Sequence, residues 1–206
     1  MKIIKPRIYL ASQSPRRREL LKQIGVNFEV LLLRADPRRR IDVDETPLAG
    51  ELPQDYVLRV CRAKATAGYT ILGLRNLPPF PVMAADTTVT LEGRIFGKPE
   101  NGEHAADMLR QLSAREHQVL SAVALALEDR IEVALSISTV RFVALTEERI
   151  RRYLLSGEHK DKAGAYGIQG QAAAFIEHLS GSYSGVMGLP LHETVQLLHR
   201  FGYPAP

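Results

Sequence analysis

A chain of 206 residues, 45% hydrophobic and 24% charged, is long enough to bury a substantial core, as one domain or as two closely joined lobes, and reads as ordinary globular protein. The single cysteine, Cys61, excludes an intrachain disulfide and argues against a thiolate metal site. No stretch approaches the ~20 apolar residues needed to span a bilayer, and "MKIIKPRIYLAS" is too short in apolar length for a signal peptide, so a cytoplasmic, membrane-free protein is expected. The net charge of +4 gathers in two runs, Arg16 to Arg18 and Arg38 to Arg40, which suits an anionic partner, nucleotide or nucleic acid alike.

Taken in chain order, "RIYLAS" reads as a short buried strand. Ser14 and Pro15 then supply an N-cap and a first-turn proline for a helix that turns Leu20, Leu21 and Ile24 inward and stops at Gly25. "FEVLLL" reads as a second strand, "RADPRRRID" as a solvated basic loop, and Pro53 opens a helix expected to run to about Ala67. A Gly- and Pro-rich connection over 68–81 delivers the chain to the strand "VMAAD". "TTVTLEGRIF" folds back at Glu92-Gly93, and "NGEHAADMLRQL" has helical spacing.

Residues 117–145 read as a long antiparallel hairpin turning at "LEDR". Thr146 caps a helix that ends at Gly157, "AYGIQGQAAAFIEHLSG" reads as another strand pair, and Pro190 opens a closing helix that stops near Gly202. Strands and helices alternate early and hairpins dominate the middle. The expected fold is therefore α/β, a mixed central sheet flanked by helices, over a single domain spanning residues 1–206.

The chemistry concentrates at a few positions. "SQSPRR" places Ser12, Ser14, Arg16 and Arg17 on a strand-to-helix corner, where unpaired backbone N–H groups and the helix dipole already suit phosphate. The same residues would serve as a plain N-cap followed by exposed arginines. Three arginines in a first turn oppose the dipole, and that local conflict favours a functional reading. Asp86 is expected at the carboxyl end of its strand, as a proton acceptor, a cation ligand or a turn-forming Asp.

Val57, Val60, Cys61 and Lys64 follow the i, i+3, i+4, i+7 pattern, so Lys64 stands on an apolar stripe. It either snorkels to water or is aimed into a polar site at the edge of the core. Lys98 in "GKP" is a weaker candidate cation, and Glu45 in "DVDETP" a second carboxylate for metal. The six histidines show no metal-ligand spacing and read as structural or surface. Neither a Walker-type loop nor a GxGxxG fingerprint is present.

Together, "LASQSPRRRELL", "DVDETP", "AADTTV", "GKP" and "DKAGAYGIQG" resemble, in order and over roughly residues 7–200, the Maf family of septum-formation-inhibitor-like nucleotide pyrophosphatases. The resemblance implies a homodimeric protein of Maf/ITPase-like fold with a cleft between two lobes. It would hydrolyse nucleoside triphosphates to monophosphate and pyrophosphate with a divalent metal, Mg²⁺ or Mn²⁺. It further implies Asp86 as general base and Arg16, Thr87 and Gln169 as the residues that set substrate choice. Ser12, Arg17, Glu45, Lys64 and Lys98 would complete the polar cleft, with Glu45 and Asp86 holding the metal.

The segment ending Ile168-Gln169-Gly170 is similar to the branch acting on dTTP and UTP. The Gln169 amide, with one donor and one acceptor, could pair with O4 and N3–H of thymine or uracil. Purine or modified nucleotides are the alternative substrates. A nucleic-acid-binding division regulator is the alternative class, and it leaves Asp86 and Glu45 without a role. Departures from the family pattern are the loop "RADPRRRID", longer than usual, His159 for proline, Ser121 for threonine and Thr88 for an apolar residue.

Overall fold

The computed structural model describes residues 7–33 and 43–206, so the solvated reading of the second arginine run lies outside the described residues. Strand β1 (Ile8–Leu10) is wholly buried and leads to helix α1 (Pro15–Gln23). The Ser14 hydroxyl accepts the Arg17 N–H at 3.5 Å, as the N-cap reading requires. Strand β2 (Phe28–Val30) is shorter than the apolar run that announced it, because its partner β1 has only three residues and pairing ends at Leu10 and Val30.

Helix α2 (Pro53–Leu74) runs past Ala67, where it was expected to end. Gly68 is a packing residue and not a stop: a Cβ there would lie 2.7 Å from Val82 Cγ1 and 3.2 Å from Ala11 Cβ, so the glycine lets α2 lie directly on the sheet. Strand β3 (Val82–Leu91) also continues where a break was expected. Asp86 therefore stands in mid-strand and not at its carboxyl end. The ladder explains this: Asp86, Thr88 and Thr90 find partners in Ala122, Leu120 and Gln118 of β5 (Glu116–Leu127). The turn at Glu92 and Gly93, both at positive φ, folds β3 onto β4 (Arg94–Phe96) as anticipated.

Helix α3 (Gly102–Leu112) starts at Asn101, whose side chain accepts the His104 N–H at 2.9 Å. β5 and β6 (Arg130–Phe142) form the expected long hairpin, and Thr146 caps α4 (Glu147–Leu155). The anticipated strand pair over 165–181 is instead two 3₁₀ turns, Ala163–Ala165 and Gln171–Phe175, followed by a single strand β7 (Ile176–Ser180). Gly164 and Ala165 at positive φ and a Gly170 N–H to Gly167 C=O bond of 3.1 Å coil this stretch, so it cannot extend. A short helix α5 (Tyr183–Met187), unforeseen, precedes α6 (Leu191–Arg200).

The sheet order is β2-β1-β3-β5-β6-β7, with β4 on the free edge of β3. β1 runs parallel to β2 and β3, while the other pairs are antiparallel, so the sheet is mixed, as expected. One consequence positions the site. Pairing of β1 with β3 ends at Met83, and pairing of β4 with β3 begins at Val89. Between them the β3 edge around Asp86 and Thr87 has no strand partner among the described residues.

Side-chain packing divides at the same place. Cluster one joins α2 to Val82, Ala84, Leu120 and Ala122, and on the opposite face α1 and α6 cover Met83, Ala85, Val123 and Leu125. Beyond residues 86 and 87, Val89 and Leu91 belong to a distal cluster with α3, α4 and the rings of Phe142, Tyr153, Tyr166 and Phe175.

His117 is buried in that distal cluster with Nε2 2.8 Å from the Tyr166 hydroxyl, and burial lowers its pKa from 6.5 to about 4. The folded protein thus keeps the ring neutral, whereas the unfolded chain protonates it. This contribution to stability is complete above pH 6.5 and is lost as pH falls toward 4, by about 2 kcal/mol at pH 5. Urea denaturation at pH 7 and pH 5 should show the wild type losing about 2 kcal/mol more than His117→Gln. Equal losses would mean that the ring titrates in the fold as it does in water.

Candidate active site

Lys64 is the centre of the site. Val57, Val60 and Cys61 hold the stripe of α2 against the sheet, each with no exposed surface, and the next position on that stripe directs the Lys64 ammonium at the gap in the β3 edge. Its Nζ lies 2.7 Å from Asp86 Oδ1 and 3.1 Å from Glu45 Oε2. The side chains of Lys64 and Asp86 are only 14% and 11% exposed, so this is a largely desolvated pair and the snorkelling alternative is set aside. Glu45 is brought in by the loop before α2, where the Tyr56 hydroxyl donates to the Glu45 carbonyl at 2.9 Å. Two neighbouring groups register the negative potential. Burial, then the Asp86 charge, pushes the Tyr56 phenol and the Cys61 thiol each to about 12, which leaves Cys61 an inert core residue.

The arginines of α1 lie on the other side of the gap. Arg17 Nε donates to the Gly188 carbonyl at 2.8 Å and its Nη1 to Ser12 Oγ at 3.2 Å, while Arg16 Nε donates to the Met187 carbonyl at 3.3 Å. These carbonyls close the C-terminal end of α5, where Gly188 adopts φ +119. For Arg16 and Arg17 the conflict with the α1 dipole is therefore answered by the last carbonyls of another helix. Burial lowers the pKa of both guanidiniums, and Arg17 is further influenced by Asp86; arginine nevertheless stays charged at neutral pH. Among the described residues Arg16 engages only its Nε in this way, and its terminal amino groups have no hydrogen-bond partner there.

Thr87, one residue on from Asp86, points to the opposite face of β3. Its hydroxyl is 2.9 Å from Ser121 Oγ, which in turn donates to the Gly185 carbonyl at 2.6 Å. The structure thus brings Glu45, Lys64 and Asp86 into one group and Ser12, Arg16, Arg17 and Thr87 into a second around the Met187 and Gly188 carbonyls, with Arg17 near enough to feel the Asp86 charge.

Gln169 and Lys98 are exposed and, among the described residues, neither bonds to the Asp86 group. They belong to two loops of the distal side that are tied together by the Gly164 N–H to Gly97 C=O bond of 3.1 Å. Tyr56, Ser121 and Gly188 were not identified as site residues from sequence. Tyr56 carried no signal beyond an aromatic in a first helical turn, and Ser121 only its departure from the family pattern. Lys162 was also missed: burial and then the nearby Arg16 charge lower its pKa.

Among the described residues no group of three or more His, Cys, Asp or Glu side chains is arranged to hold a metal ion. Asp86 and Glu45 alone converge, and they do so on the cation of Lys64. No helix of the described residues is long and apolar enough to cross a membrane.

Residues 7–201 match the family model described as Maf-like protein. The chain is 57% identical over 205 residues, 99% of this chain and 100% of that protein, to the dTTP/UTP pyrophosphatase of Aromatoleum aromaticum. It is 58% identical over 198 residues, 96% of each, to the dTTP/UTP pyrophosphatase of Nitrosospira multiformis. A remote likeness among solved structures is to the Staphylococcus aureus Ham1 protein, with a TM-score of 0.44 and 17% identity over 66% of this chain and 71% of that chain. A match over nearly the whole length and relatives sharing more than half their residues lead to one conclusion: the chain belongs to the Maf-like family.

Proposed function

We propose that this protein is a nucleoside triphosphate pyrophosphatase acting on dTTP and UTP. The observation that carries the reading is the Asp86–Lys64–Glu45 pairing, at 2.7 and 3.1 Å, set in the open β3 edge opposite Arg16 and Arg17. The names of the curated relatives support the choice of substrate. Cations on both walls suit a triphosphate. An acidic strand edge between them suits activation of water, and a site built only to hold polyanion backbone would have no use for it.

In this mechanism Arg16, Arg17, Lys64 and Lys98 neutralise the phosphate oxygens and orient the chain of phosphates. Asp86 accepts a proton from a water molecule whose oxygen bonds to the α-phosphorus. The bond from that phosphorus to the bridging oxygen of the β-phosphate breaks, and pyrophosphate leaves with the electron pair. Thr87 and Arg16 fix the substrate beside Asp86, and Ser12 supports Arg17.

Two carboxylates that already converge on one positive charge fit Mg²⁺ or Mn²⁺, which commonly take one or two carboxylates and complete their shell with phosphate and water. Asp86 and Glu45 would hold the ion, and it would supply charge neutralisation and a more acidic water.

The experiment is pyrophosphate release from a panel of pyrimidine and purine triphosphates with Mg²⁺ or Mn²⁺. Turnover of dTTP and UTP well above the others is expected, and chelation should abolish it. Equal turnover of every triphosphate, or none, would reject the reading. Asp86→Asn should lower kcat on dTTP per folded molecule by about 10² to 10⁴, beyond any loss of stability from leaving the Lys64 ammonium without its nearest counter-charge; a rate near that of the wild type would remove Asp86 from the chemistry.

Base choice is assigned to Gln169, whose amide would pair with O4 and N3–H of thymine or uracil. Leaving it mispaired costs about 1–3 kcal/mol, or roughly one to two decades of discrimination. Gln169→Glu should therefore reduce kcat/KM for dTTP by at least about tenfold and leave folding intact, and unaltered dTTP kinetics would discount the assignment.

A further inference from the structure

Gln169 occupies the third position of a four-residue turn, Gly167 to Gly170, closed by the Gly170 N–H to Gly167 C=O bond of 3.1 Å. The next residue leaves the turn in a defined direction, because the Gln171 N–H points at the Glu158 carboxylate, 3.1 Å from Oε1 and 2.9 Å from Oε2. A backbone N–H bonded to a carboxylate is charge-assisted and stronger than an ordinary turn bond. Glu158 is itself anchored to the end of α4: its N–H donates to Ser156 Oγ at 3.2 Å, and that hydroxyl donates to the Tyr153 carbonyl at 2.6 Å.

Gly170 gives independent support for the closeness of this clamp. A Cβ on Gly170 would lie 2.0 Å from Glu158 Oε2 and 2.8 Å from Oε1, and the three nearest atoms it would meet all belong to that carboxylate. A side chain at this position would meet the carboxylate first, so residue 170 and the Glu158 carboxylate compete for one space. On the other side of the turn, the Tyr166 hydroxyl is anchored 2.8 Å from His117 Nε2 in the distal core. The turn is therefore held on both sides, and Gln169 at its corner has no hydrogen-bond partner among the described residues.

We propose that Glu158 is a positioning residue for nucleobase discrimination: by clamping Gln171 N–H it sets the turn that aims the Gln169 amide at the pyrimidine edge. The inference rests on the base-reading role given to Gln169 above. An amide can distinguish thymine from cytosine only if it is held to within a fraction of an ångström, and a side chain at the corner of an unsupported turn is not so held.

The test is kcat/KM for pyrophosphate release from dTTP and from dCTP, taken as a ratio within each preparation so that any unfolded fraction cancels. Glu158→Ala should lower the dTTP-to-dCTP ratio about tenfold with dCTP turnover within about twofold of wild type. Glu158→Gln, whose amide oxygen still accepts from Gln171 N–H, should keep most of the ratio. Gly170→Ala should lower it as Glu158→Ala does, and the double variant should be no worse than Glu158→Ala, since the clash partner is gone. Gln169→Ala is the reference. If Gln169→Ala loses the ratio while Glu158→Ala keeps it, or if Glu158→Ala slows both substrates equally, the clamp is rejected and the base reading stands. If Gln169→Ala keeps the ratio, the base reading falls and the clamp falls with it.

Discussion

An ammonium on the apolar stripe of a helix cannot be left alone, and the way this protein answers that demand organises its site. Lys64 and Asp86 are both largely withdrawn from water and lie 2.7 Å apart, so each compensates the desolvation of the other. Asp86 shares the face of Ala84, on which α2 packs, and because pairing of β3 with β1 ends at Met83 and with β4 begins only at Val89, the strand edge beside that pair is open. Glu45 then joins the same ammonium from a loop that Tyr56 ties to α2.

The cations opposite follow a similar logic. Arg16 and Arg17 begin a helix whose dipole disfavours them, and the last carbonyls of α5 supply what that dipole does not. Gly188, at φ +119, turns those carbonyls toward the arginines. The same glycine carbonyl is 3.5 Å from the Thr87 hydroxyl, so one turn of backbone coordinates α1 with β3. Arg16 and Arg17 are therefore held by the end of α5, and the acidic strand edge by Lys64 of α2.

The distal cluster contributes rigidity. Edge-to-face contacts among His117, Phe142, Tyr166 and Phe175, with ring centroids 4.8–6.0 Å apart, make a dry support beneath the loop that carries Gln169. Gly164, packed against Val89 with no room for a side chain, seats the start of that loop on β3. A neutral imidazole is the natural partner for the Tyr166 hydroxyl in such surroundings, because a charged one would need a counter-ion that the cluster does not offer.

Much of this was legible in the linear chain. Ser14 and Pro15 at the start of α1, the Glu92-Gly93 turn, the long hairpin about "LEDR" and the Thr146 cap are local features, set by dihedral preference and hydrogen bonds within a few residues. The anomalies were also visible: Lys64 on an apolar stripe and three arginines where acids are favoured. Other features depended on neighbours distant in sequence. β2 ended early because its partner did. α2 passed through Gly68 because Val82 and Ala11 crowd that glycine. β3 ran on through Asp86 because β5 supplied a ladder. The coil over 163–175 could not be told from a strand pair by alternation alone. The sequence by itself determined which side chains carry charge against local preference; only the tertiary structure decided which of them meet, since ion pairing across 22 residues and helix-end contacts across 171 are set by packing and not by spacing.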